Sequence, residues 1–210
     1  VECSKHVLVF AKNNVVSRVK TRLGAIVGFP EASRIYHQLC LLTRQCLHPE
    51  EYQCYIYFSE HISDEALWSD ARLIRRVQKG LTLGERMFSA FEDVFLAGPK
   101  SPQDPDFLHK VIIIGTDCPY LTPEIISESW ASLDTHDLVI GPAKDGGYYL
   151  LGMKHLQPAL FALPEWSTSY VLRQTCNIAA GLGLTIHLLP ELEDIDTADD
   201  WKRYQQFCHR

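Results

Sequence analysis

The chain alternates short, wholly apolar runs with longer stretches in which apolar residues recur every three or four positions. Residues 7–11 (VLVFA) and 111–115 (VIIIG) are runs of the first kind. Runs this short and this apolar predict strands buried on both faces, as in parallel sheets. Residues 55–58, 136–140, 148–151 and 184–188 predict four further strands. Helical spacing of Ile35, Leu39 and Leu42 predicts a helix over 31–47. A second helix opens at Leu83-Gly84, with Met87, Phe91, Val94 and Phe95 on one face. Thr122 as N-cap, with Pro123 at the first helical position, starts a third. Residues 167–180 read as a fourth. Thr197-Ala198-Asp199-Asp200 has the form of a capping box and starts a last helix through Tyr204. Residues 98–106, with three prolines and a glycine, predict a surface loop. Repeated β-then-α order implies an α/β fold with a mainly parallel sheet. The 210 residues fit one domain, 1–210.

Composition narrows the function classes. With 46% hydrophobic and 22% charged residues, the chain reads as a soluble globular protein. A formal net charge of -6 and the lack of a Lys/Arg run argue against a nucleic-acid polymer as partner. An anionic ligand must therefore be held by a local cluster of cations. The seven cysteines form no Cys-x-x-Cys, which favours reduced thiols in the cytoplasm over disulfides or zinc. The apolar run 7–11 is too short for a membrane span or a signal segment. Fingerprints of dinucleotide oxidoreductases, P-loop NTPases, α/β-hydrolases and zincins are absent.

Chemistry gathers at the ends of the predicted strands, where ligands of parallel sheets bind. Residues 111–115 run into Thr116-Asp117-Cys118-Pro119. Asp117 is thus a carboxylate delivered by a core strand to a ligand position, or a residue that only closes the turn. After the first strand come Lys12, Arg18, Lys20 and Arg22, suited to a di- or triphosphate or, more simply, a solvated basic loop. Asp145-Gly146-Gly147 reads as a hairpin turn, or as a close backbone approach to a ligand with Asp145 as base. Asp196 precedes a helix cap and, with Asp117, offers the two carboxylates that a Mg²⁺–phosphate site needs.

Together these segments resemble a known family. Phe10-Ala11-Lys12, residues 18–23 (RVKTRL), 78–87 (QKGLTLGERM), 115–119 (GTDCP), 141–152 (GPAKDGGYYLLG), Trp166-Ser167-Thr168 and 194–200 match it in order. The family is the bacterial GT-A-like transferases described as radical-SAM/selenodomain-associated or arsenosugar-biosynthesis glycosyltransferases. It is related to the phospholactate guanylyltransferases and the molybdenum-cofactor nucleotidyltransferases. The resemblance implies a single-domain nucleotide-diphospho-sugar transferase fold. It further implies that Ala11, Lys12, Arg18, Arg22, Thr116, Gly146 and Gly147 bind the nucleotide, with Gln78, Leu83 and Gly84 near its base. Asp117 and Asp196 would ligate Mg²⁺ or Mn²⁺, and Lys20 and Asp145 would be catalytic. The implied reaction is glycosyl transfer from a nucleotide-diphospho-sugar to a small acceptor. The alternatives are nucleotidyl transfer with release of pyrophosphate, and an inactive nucleotide-binding protein. Oligomerisation stays open. The family's first loop usually reads Lys-x-Pro-x-Pro-Gly-Arg-Val-Lys, but here Asn14, Val16 and Ser17 replace the prolines and the glycine.

Overall fold

Seven strands form one sheet in the computed structural model, which describes residues 3–97 and 108–209. They are β1 (Cys3–Ala11), β2 (Gln53–Phe58), β3 (Leu73–Val77), β4 (Leu108–Gly115), β5 (Leu138–Pro142), β6 (Tyr148–Met153) and β7 (Ile186–Leu188). The sheet order is β3-β2-β1-β4-β6-β5-β7. β6 runs antiparallel to both of its neighbours, and every other pairing is parallel. The helices are α1 (Thr21–Val27), α2 (Phe29–Gln45), α3 (Leu83–Ala97), α4 (Pro123–Thr135), α5 (Val171–Gly181) and α6 (Ala198–Cys208). The fold is the expected α/β domain with a mostly parallel sheet.

Strand alternation builds two cores. Val7, Val9, Ile112 and Ile114 face one side with Tyr36 and Cys40 of α2 and Ile126 and Trp130 of α4. Leu8, Val111 and Ile113 face the other with Met87, Phe91 and Val94 of α3 and Ala179 of α5. β1 and β4, paired from Cys3↔Leu108 to Phe10↔Gly115, are thus covered on both faces, as their apolar runs require.

Several boundaries differ from the sequence expectation. α1 and β3 were not anticipated. α1 is only seven residues long and follows the left-handed Lys20, so it lies hidden within the polar segment after β1. β3 is a sheet edge whose Arg75 and Arg76 break apolar patterning, a common way of blunting an edge. α2 begins at Phe29 and ends at Gln45, not 31–47. His136 caps the C-terminus of α4 and does not start β5. α5 starts at Val171, because Ser167 has φ 63° and cannot belong to a helix. The caps at Thr122 and Thr197 are as expected, the latter a reciprocal capping box with Asp200. The proline-containing segment 98–106 lies outside the described residues. No helix among the described residues is long and apolar enough to cross a membrane.

Candidate functional site at the carboxyl ends of β1 and β4

A cleft of about 610 Å³ opens beyond the carboxyl ends of the central strands. That volume suits a nucleotide-sized ligand. The loop after β1, the start of α3, the end of β4 and the β5–β6 turn all border it, as the sequence predicts.

The centre of the cleft is a buried lysine between carboxylates. Lys20 Nζ lies 2.8 Å from Asp117 Oδ1 and 3.2 Å from Asp196 Oδ1, and the Lys20 side chain is only 4% exposed. Asp117 therefore pairs across the fold and does not merely close its own turn. Arg22 Nη1 approaches Asp196 Oδ2 at 3.8 Å from the solvent side. Burial by itself would lower the Lys20 pKa, but Asp117 and Asp196 together outweigh it and hold the ammonium above its ordinary value.

Local structure explains the convergence. Ile195 is fully buried against α1 and α2, and its N–H donates to the Asp117 carbonyl at 2.9 Å. Asp194 and Asp196, on either side of Ile195, both line the cleft with Asp117. The Asp-Ile-Asp spacing carried this signal, yet the sequence reading singled out Asp196 and passed over Asp194. Burial first, then the neighbouring Asp117, push the Asp194 carboxyl up to about 7, against the lowering effect of Lys20. Asp194 Oδ1 is buried with no hydrogen-bond partner.

These donors suit a hard divalent cation. Two carboxylates already converge on one positive charge, and a third has an oxygen to spare. Among the described residues, no group of three or more His, Cys, Asp or Glu is placed to hold a metal by itself. The Asp117–Asp196 pair has the chemistry to give Mg²⁺ or Mn²⁺ one or two carboxylates, with water and phosphate completing the shell.

Tyr36 and Asn13, which the sequence reading passed over, hold the loop after β1. Tyr36 OH accepts from Lys12 N at 2.7 Å and lies 3.1 Å from Thr116 Oγ1, tying the ends of β1 and β4 together. Buried Asn13 accepts from Glu60 N at 2.9 Å and donates to His61 O at 2.8 Å. Arg18 leans to Glu60 at 3.2 Å, with both side chains exposed. Ser17 has φ 73°, a conformation in which glycine would carry no strain.

Of the nucleotide-binding candidates, Ala11, Lys12, Arg18, Arg22, Gln78, Leu83, Thr116 and Gly147 line the cleft. Gln78 already donates to the Tyr57 carbonyl at 3.0 Å, and Lys12 and Arg22 are exposed. Gly84 and Gly146 are not among the residues that border it. A side chain at Gly84 would meet the Phe161 carbonyl and the Trp166 ring at 2.5 Å. One at Gly146 would collide with the Ser169 carbonyl. Both glycines serve packing. Asp145 lines the cleft and also accepts from Gly147 N at 2.8 Å, so it is both turn residue and cleft residue. Met87, Tyr148 and Trp166 add apolar surface to the cleft, and Arg86 adds a further cation.

Residues 42–168, more than half of the chain, match the family described as "Uncharacterized protein conserved in bacteria (DUF2064)". The chain belongs to this family. No curated protein matches it by sequence. Among solved structures it is similar to a protein from Desulfovibrio desulfuricans G20, provisionally described as a nucleotide-diphospho-sugar transferase. The identity is 29%, 92% of this chain and 82% of that one are covered, and the TM-score is 0.81. Its fold is also that of 4-diphosphocytidyl-2C-methyl-D-erythritol synthase from Anaerococcus prevotii DSM 20548, at 11% identity, covering 99% and 96%, with a TM-score of 0.61. CMP:2-keto-3-deoxy-manno-octonic acid synthetase, solved with CTP, shares it at 11% identity, covering 98% of each chain, with a TM-score of 0.53. These neighbours place the DUF2064 chain in the GT-A-type nucleotide-diphospho-sugar transferase fold.

Proposed function

We propose that the protein is a metal-dependent transferase that takes a nucleotide-diphospho-sugar and passes the sugar to a small acceptor. The observation that carries this is the convergence of Asp117 and Asp196 on the Lys20 ammonium at the carboxyl ends of β1 and β4. The D. desulfuricans structure, similar over 92% of this chain, supports the same reading. So do the quoted motifs, on which we align the protein with the arsenosugar-type glycosyltransferases.

Asp117 and Asp196 would hold Mg²⁺ or Mn²⁺, which when bound supplies Lewis-acid charge to the diphosphate leaving group. Lys20, with Lys12 and Arg18 on the same loop and Arg22 in the first turn of α1, adds positive charge where the leaving diphosphate becomes more anionic. Asp145 takes the proton of the acceptor hydroxyl, its carboxylate oriented by the Gly147 N–H. Trp166, Met87 and Tyr148 exclude water from the far half of the cleft. The substrates on this reading are small cytoplasmic metabolites.

The four cations that follow β1 favour one second reading. They suit a triphosphate equally well, and an NTP would then transfer its nucleotidyl group to a phosphorylated acceptor, releasing pyrophosphate. A thermal-shift panel of NTPs and of UDP-, GDP- and dTDP-sugars, each with and without Mg²⁺, separates the two. A Mg²⁺-dependent shift with a nucleotide sugar is expected. A shift with NTPs alone selects nucleotidyl transfer, and none at all removes both.

A further inference from the structure

Lys20 sits where the proposed metal has its ligands. Its Nζ is 2.8 Å from one carboxylate oxygen of Asp117 and 3.2 Å from one of Asp196. A Mg²⁺-sized ion bound to those carboxylates stands about 2.1 Å from their oxygens. An ammonium and a divalent cation sharing those oxygens would stand only about 4 Å apart and repel each other. That repulsion favours displacement of the ammonium.

We infer that Lys20 is a tethered stand-in for the divalent cation, exchanged to a phosphate when metal and nucleotide bind together. This rests on the reading that Asp117 and Asp196 hold the metal. The exchange is favoured because two carboxylates, Asp117 and Asp196, share one buried ammonium, and the neighbouring Asp194 has a buried oxygen without a partner. Arg22 helps little, being 81% exposed and 3.8 Å away. The displaced ammonium needs an anion, because its side chain is 4% exposed and an unpaired buried charge is costly. The phosphates proposed for the same cleft supply it. The Lys20 backbone is the N-cap of α1, with its carbonyl accepting from Gly24 N at 2.8 Å, and the move needs only side-chain rotation.

The consequence is mutual dependence. Metal alone must displace Lys20 with nothing to receive it, and phosphate alone must draw Lys20 from its carboxylates. Each ligand therefore assists the other by the same factor. Pyrophosphate is the probe, since it presents the diphosphate common to both reactions.

The experiment is equilibrium dialysis of Mn²⁺ against wild type, Lys20→Gln, Arg22→Gln and Asp117→Asn, with and without pyrophosphate, corrected for Mn²⁺–pyrophosphate complexes in solution. Lys20→Gln is expected to bind Mn²⁺ alone about tenfold more tightly than wild type, and Arg22→Gln less than about threefold more tightly. Pyrophosphate is expected to tighten Mn²⁺ binding about tenfold in wild type and much less in Lys20→Gln. If Asp117→Asn abolishes Mn²⁺ binding while Lys20→Gln leaves it unchanged or weaker, the exchange is overturned and the metal site stands. If Mn²⁺ binding ignores Asp117→Asn, the metal reading itself falls, and the exchange with it. Should Lys20→Gln fail to fold by circular dichroism, wild type decides: no tightening by pyrophosphate overturns the exchange.

Discussion

Lys20 and Lys110 are both buried, yet their surroundings differ in kind. Lys110, on β4, donates to Asp134 at 2.5 Å and to the Trp130 carbonyl at 3.0 Å. Asp134 is 68% exposed, so the pair ends at the water's edge. One charge meets one charge near the C-terminal turn of α4, where carbonyls favour a cation. Lys20, beyond the carboxyl end of the same sheet, meets two carboxylates, and a third with an unpartnered oxygen lies alongside. Burial does not separate the two lysines. Balance does. A matched pair holds structure, whereas surplus negative charge around a buried cation marks a place prepared for more positive charge.

Removing a carboxylate is the strongest way to break this comparison. Asp117→Asn should weaken Mg²⁺-dependent nucleotide binding at least ~100-fold, about 3 kcal/mol, because it removes a proposed metal ligand and a partner of Lys20. Asp134→Asn should leave that binding unchanged. Calorimetric titration with the nucleotide giving the largest thermal shift measures both. Equal effects would abolish the distinction.

Acid tests the amino end of the sheet. His6 on β1 and His109 on β4 share Ser4 Oγ at 2.7 Å each and lie 3.2 Å apart. Burial first, then His109, lower the His6 pKa from 6.5 to about 4. The unfolded chain takes up a proton below pH 6.5 while the folded chain stays neutral. Stability is therefore full above about pH 6.5 and is lost as the pH falls toward 4, by up to about 3 kcal/mol. Urea denaturation from pH 7.5 to 4.5 should show this slope, and His6→Asn should flatten it. An unchanged slope in the variant would assign the acid loss elsewhere.

Replacing each lysine by methionine sharpens the contrast. Lys20→Met should cost about 2 kcal/mol in EDTA, since its carboxylates lose their cation, and should regain stability on addition of Mg²⁺. Lys110→Met should stay within about 1 kcal/mol and ignore Mg²⁺, since Asp134 can remain in water. Chemical denaturation with and without Mg²⁺ tests the pair.

The smallest effect concerns the loop that carries Lys20. Ser17→Gly removes left-handed strain but loosens the unfolded chain, for a net gain of about 0.5 kcal/mol. Adding Asn14→Pro should cancel that gain. The Asn14 side chain accepts from Ser33 Oγ at 2.8 Å and donates to Ser33 O at 3.3 Å, and proline would lose both. Melting temperatures of the single and double variants check this.

The sequence by itself determined what rests on local rules. The apolar runs at β1 and β4 fixed buried strands, because only a sheet covered on both faces can hide them. Thr122 and Thr197 fixed helix starts, because a cap bonds within its own first turn. The strand-end position of Asp117 and the cation-rich loop followed from the same patterns. α1 and β3 escaped notice, since a seven-residue helix and an arginine-bearing edge strand carry little periodicity of their own. Only the tertiary structure decided the electrostatics of the site. Lys20 and Asp196, 176 positions apart in the chain, meet at 3.2 Å. Gly84 and Gly146 turned out to pack against Trp166 and Ser169. Asp194 and Asp196 flank Ile195, whose N–H bonds the Asp117 carbonyl, a contact between distant parts of the chain. Residue type and spacing say which charges a chain carries. Which charges share a low-dielectric space, and whether they balance there, depends on distances that exist only once the chain is folded.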